Sequence, residues 1–368
     1  MIFAPGTRGG GTLRRREHRY AATAGDPVID DRLARQAGLR PGDEVEVETR
    51  PGGRGRGDQV TRIISVHGQP PAALARRPDF ARLAAIHPRE RLRLEGGRTA
   101  RGEPELITRV IDLLCPFGKG QRALIVAPAK AGKTTVLQAV ARGVALNHPD
   151  AALFLFLVDE RPEEVSEMEM LGLGEVVASD FDRPPSEHVA AAELLLERCR
   201  RLVELGRDVV LVMDSLTRLA RAYNAAGEGS RRTLSGGLDA NALERPKRFL
   251  GSARTVDGGG SLTIIATVLV DTGSRMDQVI FEEFKGTGNS ELVLSRELAE
   301  RRVFPAIDLQ ASATRREELL LTPAELEASH EFRRRLGGKP ALQAMPALLE
   351  EFRRHPANAA LVAALTGA

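Results

Sequence analysis

The stretch Ala127-Pro128-Ala129-Lys130-Ala131-Gly132-Lys133-Thr134-Thr135 holds the residue types that bind a triphosphate. Glycine lets backbone N–H groups approach phosphate oxygens. Lysine gives a point charge to the β- and γ-phosphates, and a threonine hydroxyl can ligate Mg²⁺ at a positive helix N-terminus. Gly132, Lys133 and Thr134 suit these roles. The usual pattern opens with a further glycine, where this chain has Ala127; Pro128 then stiffens the turn. Of 53 basic residues six are lysines, and Lys130 and Lys133 both fall here.

Two carboxylates belong with this loop. "DVVLVMDS" is a hydrophobic strand ending in Asp214, a Walker B-type ligand for the Mg²⁺ shell. "LFLFLVDERPEE" is a second buried strand, ending in Asp159-Glu160. Acids at the carboxyl ends of strands in an open α/β sheet lie where ligands bind. An acid in a helix's first turn is also favoured by the dipole alone. Beside Lys133 and Asp214, Glu160 reads as a carboxylate that orients and polarises an attacking water.

The elements that must place these groups are legible from about residue 106. Apolar runs alternate with amphipathic helices: "ALIVA" then 133–145, "LFLFLV" then 162–170, "DVVLVMD" then 216–226, "SLTIIATVLV" then 276–285. A further helix spans 185–206, and residues 322–368 form a helical tail broken at Gly337-Gly338. Continuous apolar strands between helices predict a parallel sheet covered on both faces. Before it, "DEVEVETR" and "QVTRIISV" read as strands of a small β-barrel or half-barrel. The Gly-rich residues 1–12 read as unstructured, and 69–105 as a connector with helical pieces. No internal repeat is visible.

Composition narrows the class. The 368 residues are 42% hydrophobic and only 4% aromatic, with no Trp, so the core is aliphatic. No apolar run of about 18 residues occurs. Cys115 and Cys199 lack metal-ligand spacing, and the seven histidines show no metal or triad pattern. A cytoplasmic protein with plain thiols and no membrane partner is expected. Residues 1–105 hold 20 Lys+Arg against 14 Asp+Glu, and the remainder 33 against 36. The basic front suits an anionic partner or a solvated arginine-rich surface equally well.

The strings "PFGKGQRALIVAPAKAGKTT", "VDERPEEVSEM", "DSLTRLARAYN", "SGGLDANAL", "DTGSRMD", "EEFKGTGN" and "RRVFPAID" resemble the transcription termination factor Rho family over roughly residues 70–335. The loop lacking its first glycine is the family's form. The resemblance implies an α/β RecA-like P-loop ATPase domain with a parallel sheet, preceded by a small OB or cold-shock-like barrel. The division is then a reduced RNA-binding barrel over 1–70, a connector over 71–105 and the ATPase domain with its helical tail over 106–368. It further implies an RNA-dependent ATPase and helicase, cytoplasmic and homohexameric. Such a ring translocates along single-stranded RNA and releases transcripts from the RNA polymerase elongation complex, using ATP and Mg²⁺.

By the same resemblance Lys130, Ala131, Gly132, Lys133, Thr134 and Thr135 hold phosphates, with Thr134 and Asp214 on the metal. Gly118, Lys119, Gly120, Gln121, Arg122 and Ala123 belong to the nucleotide site. Glu160 is the catalytic glutamate, Arg161 a nucleotide contact, and Phe304 stacks on adenine. Arg315 is an arginine finger reaching into a neighbour's site. Two loops face RNA: 230–237, with Arg232, Thr233, Gly236 and Gly237, and 271–275, with Thr272, Gly273, Ser274 and Arg275. In Arg275 this chain has arginine where lysine is common in the family.

The front of the chain departs from that pattern. Residues 1–70 contain only Phe3 and Tyr20 as aromatics, whereas barrels that grip single strands stack bases on such rings. Arg14, Arg15, Arg16 and Arg19 suit either sequence-blind phosphate contact or a merely structural role. Two other functions compete with the motor. A rotary ATP-synthase subunit is disfavoured by "SGGLDANAL" and "DTGSRMD". A nucleotide-gated regulator without turnover would have no use for Glu160 and Arg315 together.

Overall fold

The computed structural model describes residues 1–7, 9–53, 57–74, 76–96, 105–227, 237–239 and 242–367. Six strands form a parallel sheet, in chain order Arg122–Pro128, Ala152–Glu160, Glu175–Asp180, Asp208–Asp214, Ser261–Val270 and Ser290–Val293. In space the Ser290 strand is followed by the Arg122, Ser261, Asp208, Ala152 and Glu175 strands. The short strand Ala313–Thr314 pairs antiparallel at the Ser290 edge. Chain order therefore reverses beside Arg122–Pro128, which makes the end of that strand a topological switch point.

Burial on both faces explains the continuous apolar runs. Ala123, Ile125 and Ala127 join one core cluster, and Leu124 and Val126 join the other. Phe154 and Phe156 likewise alternate with Leu155 and Leu157. The expected helices are present as Lys133–Asn147, Pro162–Met170, Pro185–Glu204, Leu216–Ala226 and Arg275–Lys285. The tail forms Pro323–Leu336, Ala341–Arg354 and Asn358–Thr366, the first opened by a reciprocal Thr322–Glu325 cap. Arg109 fastens this tail: it donates to the carbonyls of Phe352 and His355 and to Asn358. Among the described residues, no helix is long and apolar enough to cross a membrane.

The front forms a five-stranded sheet of Ile2–Pro5, Gly11–Arg14, Val28–Ile29, Gln59–Val66 and Val45–Arg50, in that spatial order. A bridge between Ile2 and Glu44 joins the last strand to the first, closing an OB-type barrel. The expectation of an unstructured start over 1–12 is thus corrected. Ile2 and Phe3 are core residues, and the glycines build a tight hairpin instead of loosening the chain. Gly10 has φ of 62°, and a Cβ on Gly11 would lie 2.2 Å from the Ala4 carbonyl oxygen. Only glycine permits that approach.

The barrel is fastened to the main domain by charge. Arg16 pairs with Glu44 at 2.6 Å and Glu175 at 3.6 Å. Arg19 pairs with Glu169 at 2.8 Å and Asp180 at 3.4 Å, while Arg14 pairs with Asp26 inside the barrel at 2.5 Å. These three arginines therefore take the structural role; Arg15 makes no ion pair among the described residues. Phe3 and Tyr20 are both buried, so the barrel exposes no Phe, Tyr or Trp ring for stacking. The Tyr20 hydroxyl donates to Glu175 across the seam. The connector joins the main sheet: Ala85–Ile86 pairs with Arg254–Val256, and Leu92 and Leu94 enter its core.

Candidate active site

Strand Arg122–Pro128 runs to the edge of the sheet, and Ala127 and Pro128 are still paired there with Leu269 and Val270. The position of the missing glycine is thus a strand residue, where no left-handed backbone is needed. The turn comes later, at Lys130 with φ of 64° and Gly132 with φ of 90°. Helix Lys133–Asn147 starts immediately after, with Lys133 and Thr134 in its first turn. A side chain at Gly132 would meet only the Phe304 ring, at 3.8 Å, so backbone conformation and not space requires glycine.

Parallel strands end at one edge, so three distant residues converge there. Lys133 Nζ lies 2.6 Å from Asp214 Oδ1 and 3.2 Å from Glu160 Oε1. The strands of Asp214 and Glu160 are neighbours, with Ser261–Val270 between them and the phosphate loop. At Asp159, with φ of 56°, the ladder shifts register and re-aims Glu160. Thr267, on the intervening strand, donates to Asp214 Oδ1 at 2.8 Å.

Glu160 and Asp214 are each 2% exposed, so their charges lie out of water. Burial and the neighbouring Asp214 charge push the Glu160 carboxyl up to about 7, against the opposing pull of Lys133 and Arg218. Arg218 Nη2 stands 3.3 Å from Glu160 Oε1, and Nη1 lies 3.7 Å from Asp159. The Thr134 hydroxyl and the second Asp214 oxygen are hard donors of the kind Mg²⁺ takes, so the residues fit a magnesium nucleotide. Among the described residues there is no cluster of three or more His, Cys, Asp or Glu side chains able to hold a metal by themselves.

The remaining residues of this edge fall around the cluster. Ala131 is buried in the loop, Lys130 and Thr135 are exposed, and Arg161 opens helix Pro162–Met170 next to Glu160. Phe304 is 45% exposed beside Gly132. Thr267 and Arg218 were not singled out by the sequence reading. Their signals were a hydroxyl near the carboxyl end of the apolar run "TIIATVLV" and a basic residue one helical turn after Asp214.

Gly118, Lys119, Gly120, Gln121, Arg122 and Ala123 lie at the opposite end of the same strand. A strand of seven residues spans about 20 Å, which sets them well away from the phosphate loop of their own chain. Lys119 is held there by Glu90 and by Asp208 at 2.9 Å, and the buried Gln121 accepts from the Gly118 N–H at 2.8 Å. Arg315 shares this far end: its N–H donates to the Asn289 carbonyl at 2.9 Å, and its exposed side chain makes no ion pair among the described residues.

Of the two candidate RNA loops, Arg232, Thr233 and Gly236 lie outside the described residues. Gly237 has φ of 78°. The loop 271–275 leaves the carboxyl end of Ser261–Val270, the same edge as the cluster. Thr272 donates to Asp277 at 2.6 Å, Ser274 caps helix Arg275–Lys285, and Gly273 and Arg275 are exposed.

Comparison with known proteins agrees with this fold. Residues 108–314 match the family model described as ATP synthase alpha/beta family, nucleotide-binding domain, and belong to that domain family. The chain is 56% identical over 347 residues to a transcription termination factor Rho of Gemmatimonas aurantiaca, and 53% identical over 347 residues to one of Streptosporangium roseum. Each alignment covers 94% of this chain; it spans 47% of the first relative and 87% of the second. A structure of a prototypical ATPase from a bacterial type III secretion system superposes with a TM-score of 0.59 and 28% identity, covering 70% of this chain and 82% of its own. The assembled ATPase EscN from the enteropathogenic E. coli type III secretion system superposes at 0.55 and 28%, covering 67% and 64%. The ATPase unit is therefore a RecA-like P-loop domain.

Proposed function

This chain belongs to the transcription termination factor Rho family, and we propose that it is an ATP-driven motor that moves along single-stranded RNA and releases transcripts from RNA polymerase. The observation that carries this reading is the convergence of Lys133, Glu160 and Asp214 at the switch point of the sheet. Lys133 leaves its two carboxylates for the β- and γ-phosphates. Thr134 and Asp214 hold Mg²⁺, which when bound neutralises phosphate charge. Glu160 then depends on Arg218 for its remaining cation and orients water for attack. Phe304 supplies a face for the base, with Lys130, Ala131, Gly132, Thr135 and Arg161 around the phosphates.

Arg315 and the segment Gly118 to Ala123 cannot reach the loop of their own chain, so they serve a nucleotide held by a neighbour. That arrangement requires a multimer, and a homohexameric ring in the cytoplasm is the form proposed. Arg232, Thr233, Gly236, Gly237, Thr272, Gly273, Ser274 and Arg275 face RNA in its pore.

The experiment is steady-state ATP hydrolysis with no RNA, with poly(C) and with mixed-sequence RNA, beside Lys133→Ala and Arg275→Ala. Stimulation by RNA of any composition, lost in both variants, is expected. A rate indifferent to every RNA would remove the motor reading.

A further inference from the structure

At the amino ends of the strands a cavity of about 670 Å³ opens among His87, Arg89, Arg122, Arg254, Asp257 and Asn289. Arg122 and Arg254 are half-buried, yet among the described residues neither forms an ion pair, and Asp257 is the one carboxylate in the lining. Asn289 draws the basic groups together. Its side-chain oxygen accepts the Arg122 N–H at 2.8 Å, and its carbonyl accepts the Arg315 N–H at 2.9 Å. The Arg122 Nε is buried without a partner.

Arg254 is held ready for a ligand. Its guanidinium lies 4.5 Å from the centre of the Phe80 ring, and its Nε bonds the Ser252 carbonyl at 3.4 Å. Stacking on an aromatic face orients the fork while leaving its outer N–H groups available. Burial, with the charge of Arg315, lowers Arg122; burial, with Arg200 and Arg122, lowers Arg254. Like charges gathered without a counter-ion are relieved by an anion, and a forked guanidinium suits phosphate oxygens. The phosphate loop of the same chain is about 20 Å away along the strand, so the anion comes from outside the chain.

We propose that Arg254, together with Arg122, is a further nucleotide-binding residue that acts beside Arg315 on the phosphates of a nucleotide held by the phosphate loop of a second copy of this chain. This rests on the proposed function above and extends it to a residue outside every motif quoted for the family resemblance.

The test is titration with a fluorescent non-hydrolysable ATP analogue. The samples are the wild-type chain, Arg254→Gln, Arg254→Lys, Lys133→Ala, and an equal mixture of Arg254→Gln with Lys133→Ala, re-formed from separated subunits. Arg254→Gln removes the guanidinium and is expected to bind about tenfold more weakly, the loss of one charge-assisted hydrogen bond, with Arg254→Lys recovering part. In the mixture some interfaces unite an intact loop with an intact Arg254. A fraction of sites with wild-type affinity is therefore expected, absent from either variant alone. Wild-type affinity in Arg254→Gln overturns the proposal. So does a mixture showing only the weakened classes of its two components, because Arg254 would then act within its own chain or through folding. A wild-type chain that binds no analogue overturns the proposed function itself.

Discussion

Arg221 and Asp277 meet at two points: Nε donates to Oδ1 at 2.8 Å and Nη2 to Oδ2 at 2.5 Å. Asp277 Oδ2 also accepts the Thr272 hydroxyl at 2.6 Å, from the loop 271–275. One turn earlier on the Arg221 helix, Arg218 stands 3.3 Å from Glu160. A single helix therefore touches a carboxylate of the candidate ATP site and the carboxylate that shapes a candidate RNA loop.

Cutting that link separates the two activities. In Arg221→Gln, stimulation of ATP hydrolysis by RNA is expected to fall about fivefold or more, the size of a typical coupling free energy. The unstimulated rate is expected to stay within about twofold, because Arg221 does not touch the Lys133 cluster. Parallel assays with and without RNA read both; equal loss in both would contradict a coupling role.

The raised Glu160 carboxyl makes activity and stability depend on pH in opposite directions. A water-orienting carboxylate must be ionised, so kcat/KM for ATP should fall as pH drops below about 7. Arg218→Gln removes a positive charge that favours the ionised form, and the acid limb should move to higher pH. For stability, the folded chain holds a proton between the ordinary value of 4.5 and about 7 that the unfolded chain has released. The Glu160 contribution to stability therefore falls as pH rises through that window. Glu160→Gln should flatten this part of the slope in urea unfolding of the nucleotide-free chain at pH 5 and pH 8.

Inside the barrel and at its seam, Asp43 is fully buried and accepts from Arg77 at 2.5 and 2.6 Å and from Arg40 N–H at 2.7 Å. Burial pushes its carboxyl up, but bonds with His67, Arg77 and Arg40 outweigh it and hold it below the usual range. Arg77→Met leaves that charge without its main partner and should cost about 3–5 kcal/mol in chemical denaturation. Adding Asp43→Asn should recover part of the loss; a further equal loss would show that Arg77 acts through packing.

Salt dependence distinguishes RNA contacts from structural charge. Replacing Arg275 by Ala should reduce the slope of log affinity against log salt by about one phosphate's worth. Replacing Arg14 or Arg16 by Gln should leave the slope unchanged and lower thermal stability instead, because those charges face Asp26, Glu44 and Glu175. A slope reduced by the barrel substitutions would return the barrel to the RNA-binding surface.

The sequence by itself determined the parallel sheet and the chemistry at its edge. Strands buried on both faces must be apolar at every position, so "ALIVA", "LFLFLV" and "DVVLVMD" announce themselves, and the polar residues that end them mark the site. The turn at Gly132 is equally local. Tertiary structure alone decided where charge and rings go. Arg19 meets Glu169 across 150 positions, and Lys133 meets Asp214 across 81. Gly11 lies against Ala4 because Phe3 is drawn into the barrel core and Ile2 into the core of the main sheet. Phe304 comes to Gly132, and Arg122 is set at the end of its strand away from Lys133. Periodicity reports which face of an element is buried; it carries no record of which distant element covers that face, and the pairing of buried charges depends on that.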